Sequence, residues 1–176
     1  FENGYHEIGM DHFALKTDTL YDAFEKGALH RNFMGYSSSK TKLMIGLGVS
    51  SISDSWYSFA QNVKSLEEYY QLLERNKLPV YRGHLLTGED LIIRKHILNL
   101  MCQFETSWKN QEAYFEEIPE VLNQLKEMEN DGLLIIKENS IAVTEKGKPY
   151  VRNICMAFDL RLKRKAPETE LFSVTI

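Results

Sequence analysis

The chain has 176 residues, of which 43% are hydrophobic and 26% charged, and its formal net charge is −4. This composition is typical of a globular protein, with room for one ordinary domain or for a small domain and part of another. The negative net charge disfavours a nucleic-acid partner. No apolar run approaches the roughly 20 residues that span a membrane, and the first ten residues lack the pattern of a signal peptide. We therefore expect a cytoplasmic protein that binds neither nucleic acid nor membrane.

The chain contains two cysteines, Cys102 and Cys155, and each lies within an apolar helical pattern. Two cysteines cannot by themselves hold an iron–sulfur cluster or a structural zinc ion. The histidines show no spacing typical of metal ligands either. The pattern predicts buried free thiols in a reducing compartment and no metal site formed by this chain alone.

The first half of the sequence predicts strands that alternate with helices. Residues 5–15 form a mostly apolar run that predicts one strand buried on both faces, and Asp18 is positioned to cap a short helix after it. Residues 43–53 show the clearest strand pattern, with Gly46 and Gly48 on one face. Two glycines on one strand face indicate that either a ligand or a packed helix approaches the backbone.

The character of the sequence then changes, and we predict a boundary between domains of residues 1–83 and 84–176. The second part predicts a long helix capped by Thr87 and Asp90, a second helix, a β-hairpin over 133–143 and one final helix. That order is the outline of a winged-helix domain, which leaves a DNA-binding module open as an alternative. The helix before the hairpin is mainly acidic, a charge pattern unsuited to the DNA major groove.

Four short motifs, taken together, resemble one enzyme family. The motifs lie at residues 9–14 (GMDHFA), 29–36 (LHRNFMGY), 46–53 (GLGVSSIS) and 152–159 (RNICMAFD). They occur in the order and approximate spacing of the last part of the oxygen-independent coproporphyrinogen III oxidases, which are radical S-adenosylmethionine enzymes. The resemblance covers nearly the whole chain, so the chain is similar to the C-terminal portion of that family.

The resemblance implies an α/β fold followed by an α domain. Residues 1–83 would form the last strand–helix units of a TIM-like radical S-adenosylmethionine partial barrel, because a whole barrel of this kind needs roughly 200 residues or more. Residues 84–176 would form a mainly helical, winged-helix-like C-terminal domain with a small β-hairpin.

The resemblance also implies an activity for the full-length enzyme. Members of the family oxidatively decarboxylate two propionates of coproporphyrinogen III to give protoporphyrinogen IX in haem biosynthesis. They use a [4Fe–4S] cluster, S-adenosylmethionine and an electron donor such as flavodoxin or ferredoxin, and we expect the full-length protein to be a monomer. This chain lacks the family's Cys-x3-Cys-x2-Cys motif, so we expect it to hold no cofactor and to be inactive alone. The related radical S-adenosylmethionine haem chaperone is the main alternative, although its equivalent motifs differ.

Four residues are candidate site residues. Ile52 and Phe33 match family positions associated with a second S-adenosylmethionine, although both are also compatible with ordinary core residues. His12 and Arg31 are candidates to bind the propionates of the substrate, since a guanidinium binds a carboxylate at two points. The alternative for this pair is a structural polar cluster with Asp11.

Two further sequence features are not assigned to a binding site. Arg152 and Asp159, in the last motif, are expected to form a structural or interdomain pair rather than to bind substrate. Met34 stands where some family members have glutamine, so the amide contact of those members is not carried over. No catalytic residue is assigned to this chain.

Overall fold

The computed structural model describes residues 3–164 of the chain. The strands within these residues are β1 Tyr5–Gly9, β2 His12–Leu15, β3 His30–Asn32, β4 Gly35–Ser37, β5 Ile52–Asp54, β6 Ser58–Asn62, β7 Val80–Leu85, β8 Glu105–Ser107, β9 Leu134–Lys137 and β10 Ser140–Val143. The α-helices are α1 Thr19–Glu25, α2 Leu66–Glu74, α3 Gly88–Gln103, α4 Ile118–Asn130, α5 Val151–Met156 and α6 Leu160–Arg164. Short 3-10 helices span Gln111–Ala113 and Glu145–Tyr150. Among the described helices, none has the length and apolar character needed to cross a bilayer.

The strands form small antiparallel sheets. β1 pairs with β2 and β3 with β4, and the two three-stranded sheets have the orders β5–β6–β7 and β8–β10–β9. The mixed α/β content agrees with the predicted class. Every strand pair within residues 3–164 is antiparallel, however, so the described strands do not pair with one another in parallel, and the partial barrel predicted for residues 1–83 stays a prediction. The connections between β1 and β2, β3 and β4, and β5 and β6 are too short for the crossover of a dozen or more residues that a parallel pair requires.

The apolar run at 5–15 forms a hairpin rather than the single strand that it predicts. The turn falls at Met10 and Asp11, where Met10 adopts a left-handed conformation with a φ of 54°. Pairing β1 with β2 buries Ile8 and Ala14, which are 1% and 4% exposed. The turn contains neither a proline nor an Asn-Gly pair, so the sequence carries no strong hairpin signal here.

Residues 43–49 do not form the buried strand that their pattern predicts. Their larger apolar side chains are 60%, 68% and 83% exposed, at Leu43, Ile45 and Leu47. A Cβ atom at Gly46 would lie 2.8 Å from the carbonyl oxygen of Ile52, because the chain folds back on β5. The amide of Gly48 donates to the hydroxyl of Tyr69 in α2 at 3.0 Å. Gly46 therefore accommodates the close backbone of β5, and Gly48 adopts a φ of 92°, a conformation that favours glycine. The alternating pattern belongs to a solvent-facing segment.

The second half follows its predicted elements more closely. The predicted capping box is present at the start of α3: Thr87 Oγ1 accepts from the amide of Asp90 at 3.2 Å, and the Asp90 carboxylate accepts from the amide of Thr87 at 2.8 Å. β9 and β10 form the predicted hairpin, and β8 adds a third strand. The predicted final helix is divided into a 3-10 helix, α5 and α6. Pro149 lies in the 3-10 segment and lacks the amide donor that a continuous α-helix needs.

The buried core joins both halves of the chain. Ile8 of β1 belongs to the same cluster of buried residues as Leu100 of α3 and Ile154 of α5. The hydroxyl of Tyr36 in β4 donates a hydrogen bond to the carbonyl oxygen of Met101 in α3 at 2.7 Å. β7 crosses the predicted boundary between residues 83 and 84, and the division into two domains stays a prediction. The last part of the second predicted domain, 165–176, lies outside the described residues.

Candidate functional site

A cavity of about 600 Å³ lies between strands of the first half and helices of the second. Strands β3, β5, β6 and β7 and helices α3, α5 and α6 contribute lining residues. The lining is largely apolar, and it includes four arginines: Arg31, Arg94, Arg152 and Arg161. A cavity of this size, with apolar walls and a few charged groups, is typical of a small-molecule site.

Arg94 of α3 is paired with an aspartate across the cavity. It donates to both carboxylate oxygens of Asp54 in β5, at 3.0 and 2.6 Å, and to the carbonyl oxygen of Trp56 at 3.0 Å. Its guanidinium also lies over the rings of Trp56 and Phe59, 4.4 and 5.0 Å from their centroids. The Arg94 and Asp54 side chains are only 13% and 9% exposed. A buried pair with two-point geometry holds its partners firmly in position.

Arg161 of α6 forms a second two-point pair, with Asp90 in the first turn of α3. Its Nε and Nη2 atoms lie 2.6 and 2.7 Å from the two carboxylate oxygens. The same carboxylate accepts hydrogen bonds from the amide and the hydroxyl of Thr87, and it lies 3.3 Å from His84 Nε2. These hydrogen bonds, above all those from Arg161, hold the pKa of Asp90 well below its usual range.

Arg31 of β3 has a different environment. Its guanidinium lies 4.6 Å from the centroid of the Tyr36 ring, and its buried Nη1 atom has no hydrogen-bond partner in the described part of the chain. A buried N–H group without an acceptor is costly, so this atom is available to a ligand that can accept a hydrogen bond. Burial raises the pKa of Tyr36 to about 12, so its hydroxyl stays protonated and does not neutralise Arg31.

Arg152 of α5 is also unpaired. It is exposed and lines the cavity. Within residues 3–164, no hydrogen bond or ion pair joins its side chain to another residue. The structural or interdomain pair of Arg152 and Asp159 stays a prediction. Two arginines of the cavity, Arg94 and Arg161, thus form two-point pairs with aspartates, and Arg31 and Arg152 form none within residues 3–164.

His12 lies outside the cavity lining. Its Nδ1 atom is 2.9 Å from the Asp11 carboxylate, and its ring is edge-on to Tyr36 at 5.1 Å. His12 also occupies the space beside Gly35, where a Cβ atom would collide with its ring. His12 and Arg31 therefore pack on the same tyrosine ring, as expected for the structural polar cluster that was the alternative for this pair. The role of His12 in substrate binding stays a prediction.

The two residues assigned to a second S-adenosylmethionine are placed differently. Phe33, between β3 and β4, lines the cavity with a side chain that is 54% exposed, and it is edge-on to Phe59 at 5.2 Å. Ile52 is not part of the lining, but it lies two residues before Asp54 in β5 and so on the same strand face. The structure brings Phe33 and Arg31 together in one cavity, and the cofactor roles of Phe33 and Ile52 stay predictions.

Sequence reasoning misses both Asp–Arg pairs of the cavity. Asp54 and Arg94 are 40 positions apart, and Asp90 and Arg161 are 71 positions apart. Asp90 has a local signal only as a helix cap. Ion pairs between distant elements leave no periodic pattern in a sequence, so only the fold brings these partners together.

The described residues do not provide a metal centre. Within residues 3–164, no group of three or more His, Cys, Asp or Glu side chains is arranged to hold an ion. Cys102 and Cys155 are free and buried, and burial raises the pKa of their thiols to about 11 and about 12. Two thiols are also too few to ligate an iron–sulfur cluster by themselves.

Large apolar side chains are exposed along segment 43–49, α2 and β7. Helix α2 has no buried residue, although leucines and tyrosines repeat along it at helical spacing. Leu47, Leu78 and Leu85 are 83%, 84% and 80% exposed. Exposure of this extent is typical of surfaces that contact another protein segment.

The relatives described here that are found by comparison with known proteins share one name. No protein-family model matches the chain. The chain is 41% identical over 170 residues to a protein from Escherichia coli named oxygen-independent coproporphyrinogen III oxidase, and the match covers 94% of this chain and 37% of that protein. A protein of the same name from Synechocystis is 38% identical over 184 residues, which cover 99% of this chain and 39% of that protein.

A solved structure resembles the chain in fold as well. It is described as coproporphyrinogen III oxidase from Escherichia coli, a radical SAM enzyme, and it matches with 40% identity and a TM-score of 0.84. The match covers 92% of this chain and 38% of that one. The resemblance inferred from the four motifs is thereby confirmed. The chain spans less than two fifths of the length of these relatives.

Proposed function

We propose, from the premise that this chain corresponds to the last part of an oxygen-independent coproporphyrinogen III oxidase, that the full-length protein converts coproporphyrinogen III to protoporphyrinogen IX. Each of two propionates loses one hydrogen atom, one electron and carbon dioxide and becomes a vinyl group. The observation that carries the proposal is the similarity, along nearly the whole chain, to proteins of that name and to a solved structure of one. Haem biosynthesis in the cytoplasm is the process that this reaction serves.

The chemistry of the cavity supports this substrate. A porphyrinogen combines a broad apolar macrocycle with carboxylates at its edge, and the cavity combines apolar walls with arginines. Arg31 is proposed to bind one propionate, since its Nη1 atom lacks a partner in the described residues and a guanidinium matches a carboxylate at two points. His12 supports Arg31 from outside the lining, because both pack on the ring of Tyr36.

The cofactor chemistry belongs to the full-length protein. A bound [4Fe–4S] cluster with S-adenosylmethionine would supply the radical that removes the hydrogen atom, and the cluster ligands are proposed to lie outside this chain. Phe33 and Ile52 are proposed to contact a second S-adenosylmethionine, and the exposed ring of Phe33 offers that molecule an apolar surface. The chain alone is proposed to be inactive, and a flavodoxin or ferredoxin is the proposed electron donor.

The fold of the first half is proposed to be completed by the rest of the enzyme. Residues 1–83 would close the end of a partial barrel, and residues 84–176 would form the appended winged-helix-like domain. The exposed apolar side chains of segment 43–49, α2 and β7 support this arrangement, because a larger protein would cover them. The full-length protein is proposed to act as a monomer.

Anaerobic turnover by the full-length protein tests the proposal. The protein is purified, its cluster is reconstituted without oxygen, and coproporphyrinogen III, S-adenosylmethionine and a reductant are supplied. We expect protoporphyrinogen IX, detected by chromatography. The Phe33→Ala and Ile52→Arg variants should lose this product, whereas Tyr114→Ala, a matched change at an exposed aromatic outside the cavity, should keep it.

Two results would contradict the proposal. The absence of product from the wild-type protein, with haem held tightly instead, would favour the haem chaperone. Salt-sensitive binding to duplex DNA, without turnover, would favour the winged-helix module. If Tyr114→Ala loses product to the same extent as Phe33→Ala, the assignment of Phe33 and Ile52 to a cofactor pocket loses its support, but the proposed reaction does not.

A further inference from the structure

We infer that Arg152 is a second carboxylate-binding residue of the cavity, and that Arg152 and Arg31 together hold a polycarboxylate ligand between β3 and α5. This inference rests on the proposed function, because it assigns carboxylates of the porphyrinogen to two named side chains. It differs from the expectation for the sequence, in which Arg152 and Asp159 form a structural or interdomain pair.

The charge pattern of the cavity leads to this assignment. Arg94 and Arg161 are each matched by an aspartate at two points. Arg31 and Arg152 form no two-point pair with a carboxylate among residues 3–164, although Asp159 also lines the cavity. The buried Nη1 atom of Arg31 lacks an acceptor among these residues, which is costly. The guanidinium of Arg152 is exposed and is therefore accessible to an anion. An anionic ligand would satisfy the first group and bind the second.

The two arginines that lack a two-point aspartate partner come from different elements of the cavity lining, β3 and α5. Arg152, Cys155 and Met156 are spaced i, i+3 and i+4, so they share one face of α5, and all three line the cavity. Arg31, on β3, lines the same cavity, and its charge lowers the pKa of the Cys155 thiol against the larger effect of burial. Arg152 is one helical turn from Cys155, about 5 Å along the axis. A ligand that carries several carboxylates would have both guanidinium groups within the same cavity.

The number of carboxylates gives Arg152 a specific consequence in turnover. The substrate has four propionates, the product of the first round has three, and the final product has two. Two arginines that bind carboxylates would hold the three-propionate intermediate in the cavity between the rounds. Loss of one of these contacts should allow the intermediate to dissociate before the second round.

A binding experiment with the full-length protein tests the inference directly. The probes are coproporphyrin III, the fluorescent oxidised form of the substrate with four carboxylates, and mesoporphyrin IX, which has two. We expect Arg152→Met to weaken coproporphyrin III binding about tenfold or more, the size typical of a lost charge-assisted hydrogen bond. Arg152→Lys should recover part of the affinity. Arg75→Met removes an exposed arginine outside the cavity and should leave the affinity unchanged.

Turnover provides the second measurement. We expect Arg152→Met to release a larger fraction of the three-propionate intermediate than the wild-type protein, and a merely structural role would not change that fraction. Thermal unfolding confirms that each variant is folded. Two results would overturn the inference if the wild-type enzyme still forms product: an unchanged affinity of folded Arg152→Met for coproporphyrin III, or an equal loss of affinity in Arg75→Met. Either result would leave the proposed function intact. Absence of product from the wild-type enzyme would instead refute the proposed function.

Discussion

Replacing Asp54 with asparagine would remove one negative charge from the buried pair with Arg94 and keep the shape of the side chain. The carbonyl of the new asparagine could still accept the hydrogen bond that Asp54 Oδ1 receives from the amide of Trp56 at 2.8 Å. The new amide group would replace Oδ2, which now accepts from Arg94 Nη2 at 2.6 Å. Two donors would then face each other, and the guanidinium would lose its counter-charge.

The magnitude follows from the burial of the two partners. Their side chains are 13% and 9% exposed, so water screens the charge of Arg94 only weakly. Removing one partner of a buried pair costs about 3–5 kcal/mol, and we expect Asp54→Asn to lower the free energy of unfolding by about 3 kcal/mol. With a urea dependence of about 2 kcal/mol per molar, the midpoint of unfolding would move down by about 1.5 M.

Urea unfolding followed by tryptophan fluorescence measures this change. Trp56 is a suitable reporter because its ring lies 4.4 Å from the Arg94 guanidinium. Asp131→Asn, at an exposed position, is the matched control and should shift the midpoint little. The double change Asp54→Leu with Arg94→Met should recover most of the loss, since an apolar pair leaves no charge buried. An unchanged midpoint in Asp54→Asn would refute the claim that this pair holds β5 to α3.

Two further predictions concern buried titratable groups. Burial lowers the pKa of His96 and His30 below 6.5, so as the pH falls below about 6.5 the unfolded chain binds protons that the folded chain does not. Thermal unfolding between about pH 7 and pH 5 should show the free energy of unfolding falling by up to about 1.4 kcal/mol per pH unit for each histidine. If the His96→Gln variant keeps the same dependence of this free energy on pH, His96 does not contribute to it. Burial raises the pKa of Cys102 to about 11 and that of Cys155 to about 12. A disulfide reagent at about pH 8 should therefore react at least about a hundredfold more slowly with the native chain than with the urea-unfolded chain. Equal rates would show that the thiols are accessible.

Local signals account for the parts of the fold that the sequence predicts correctly. The capping box of Thr87 and Asp90 and the hairpin of β9 and β10 depend on residues a few positions apart, and both are confirmed. The errors occur where an apolar pattern has more than one structural solution. The run at 5–15 is compatible with one strand or two, and the alternation at 43–49 is compatible with a buried strand or an extended segment on the surface.

The candidate site divides in the same way. Motif resemblance identifies Arg31 and Phe33, which lie in the cavity lining, and Ile52 and His12, which do not. The aspartate partners of the cavity could not be predicted, because each joins elements that are distant in sequence. Arg152 has a sequence signal in its motif, but the difference between a structural and a ligand-binding arginine becomes visible only when its neighbours are known.

Helix α3 explains why two cavity arginines are neutralised and two are not. It carries Asp90 and Arg94, one helical turn apart, and these residues pair with partners on other elements rather than with each other. Arg94 thereby ties α3 to Asp54 in β5, and Asp90 ties it to Arg161 in α6, so the paired charges fix the walls of the cavity. Such a fixed wall can hold an unpaired guanidinium in position without a protein counter-ion, because the folded chain already orders the guanidinium before a ligand binds. Breaking a paired arginine should therefore weaken folding and ligand binding together, whereas changing Arg152 should weaken ligand binding alone.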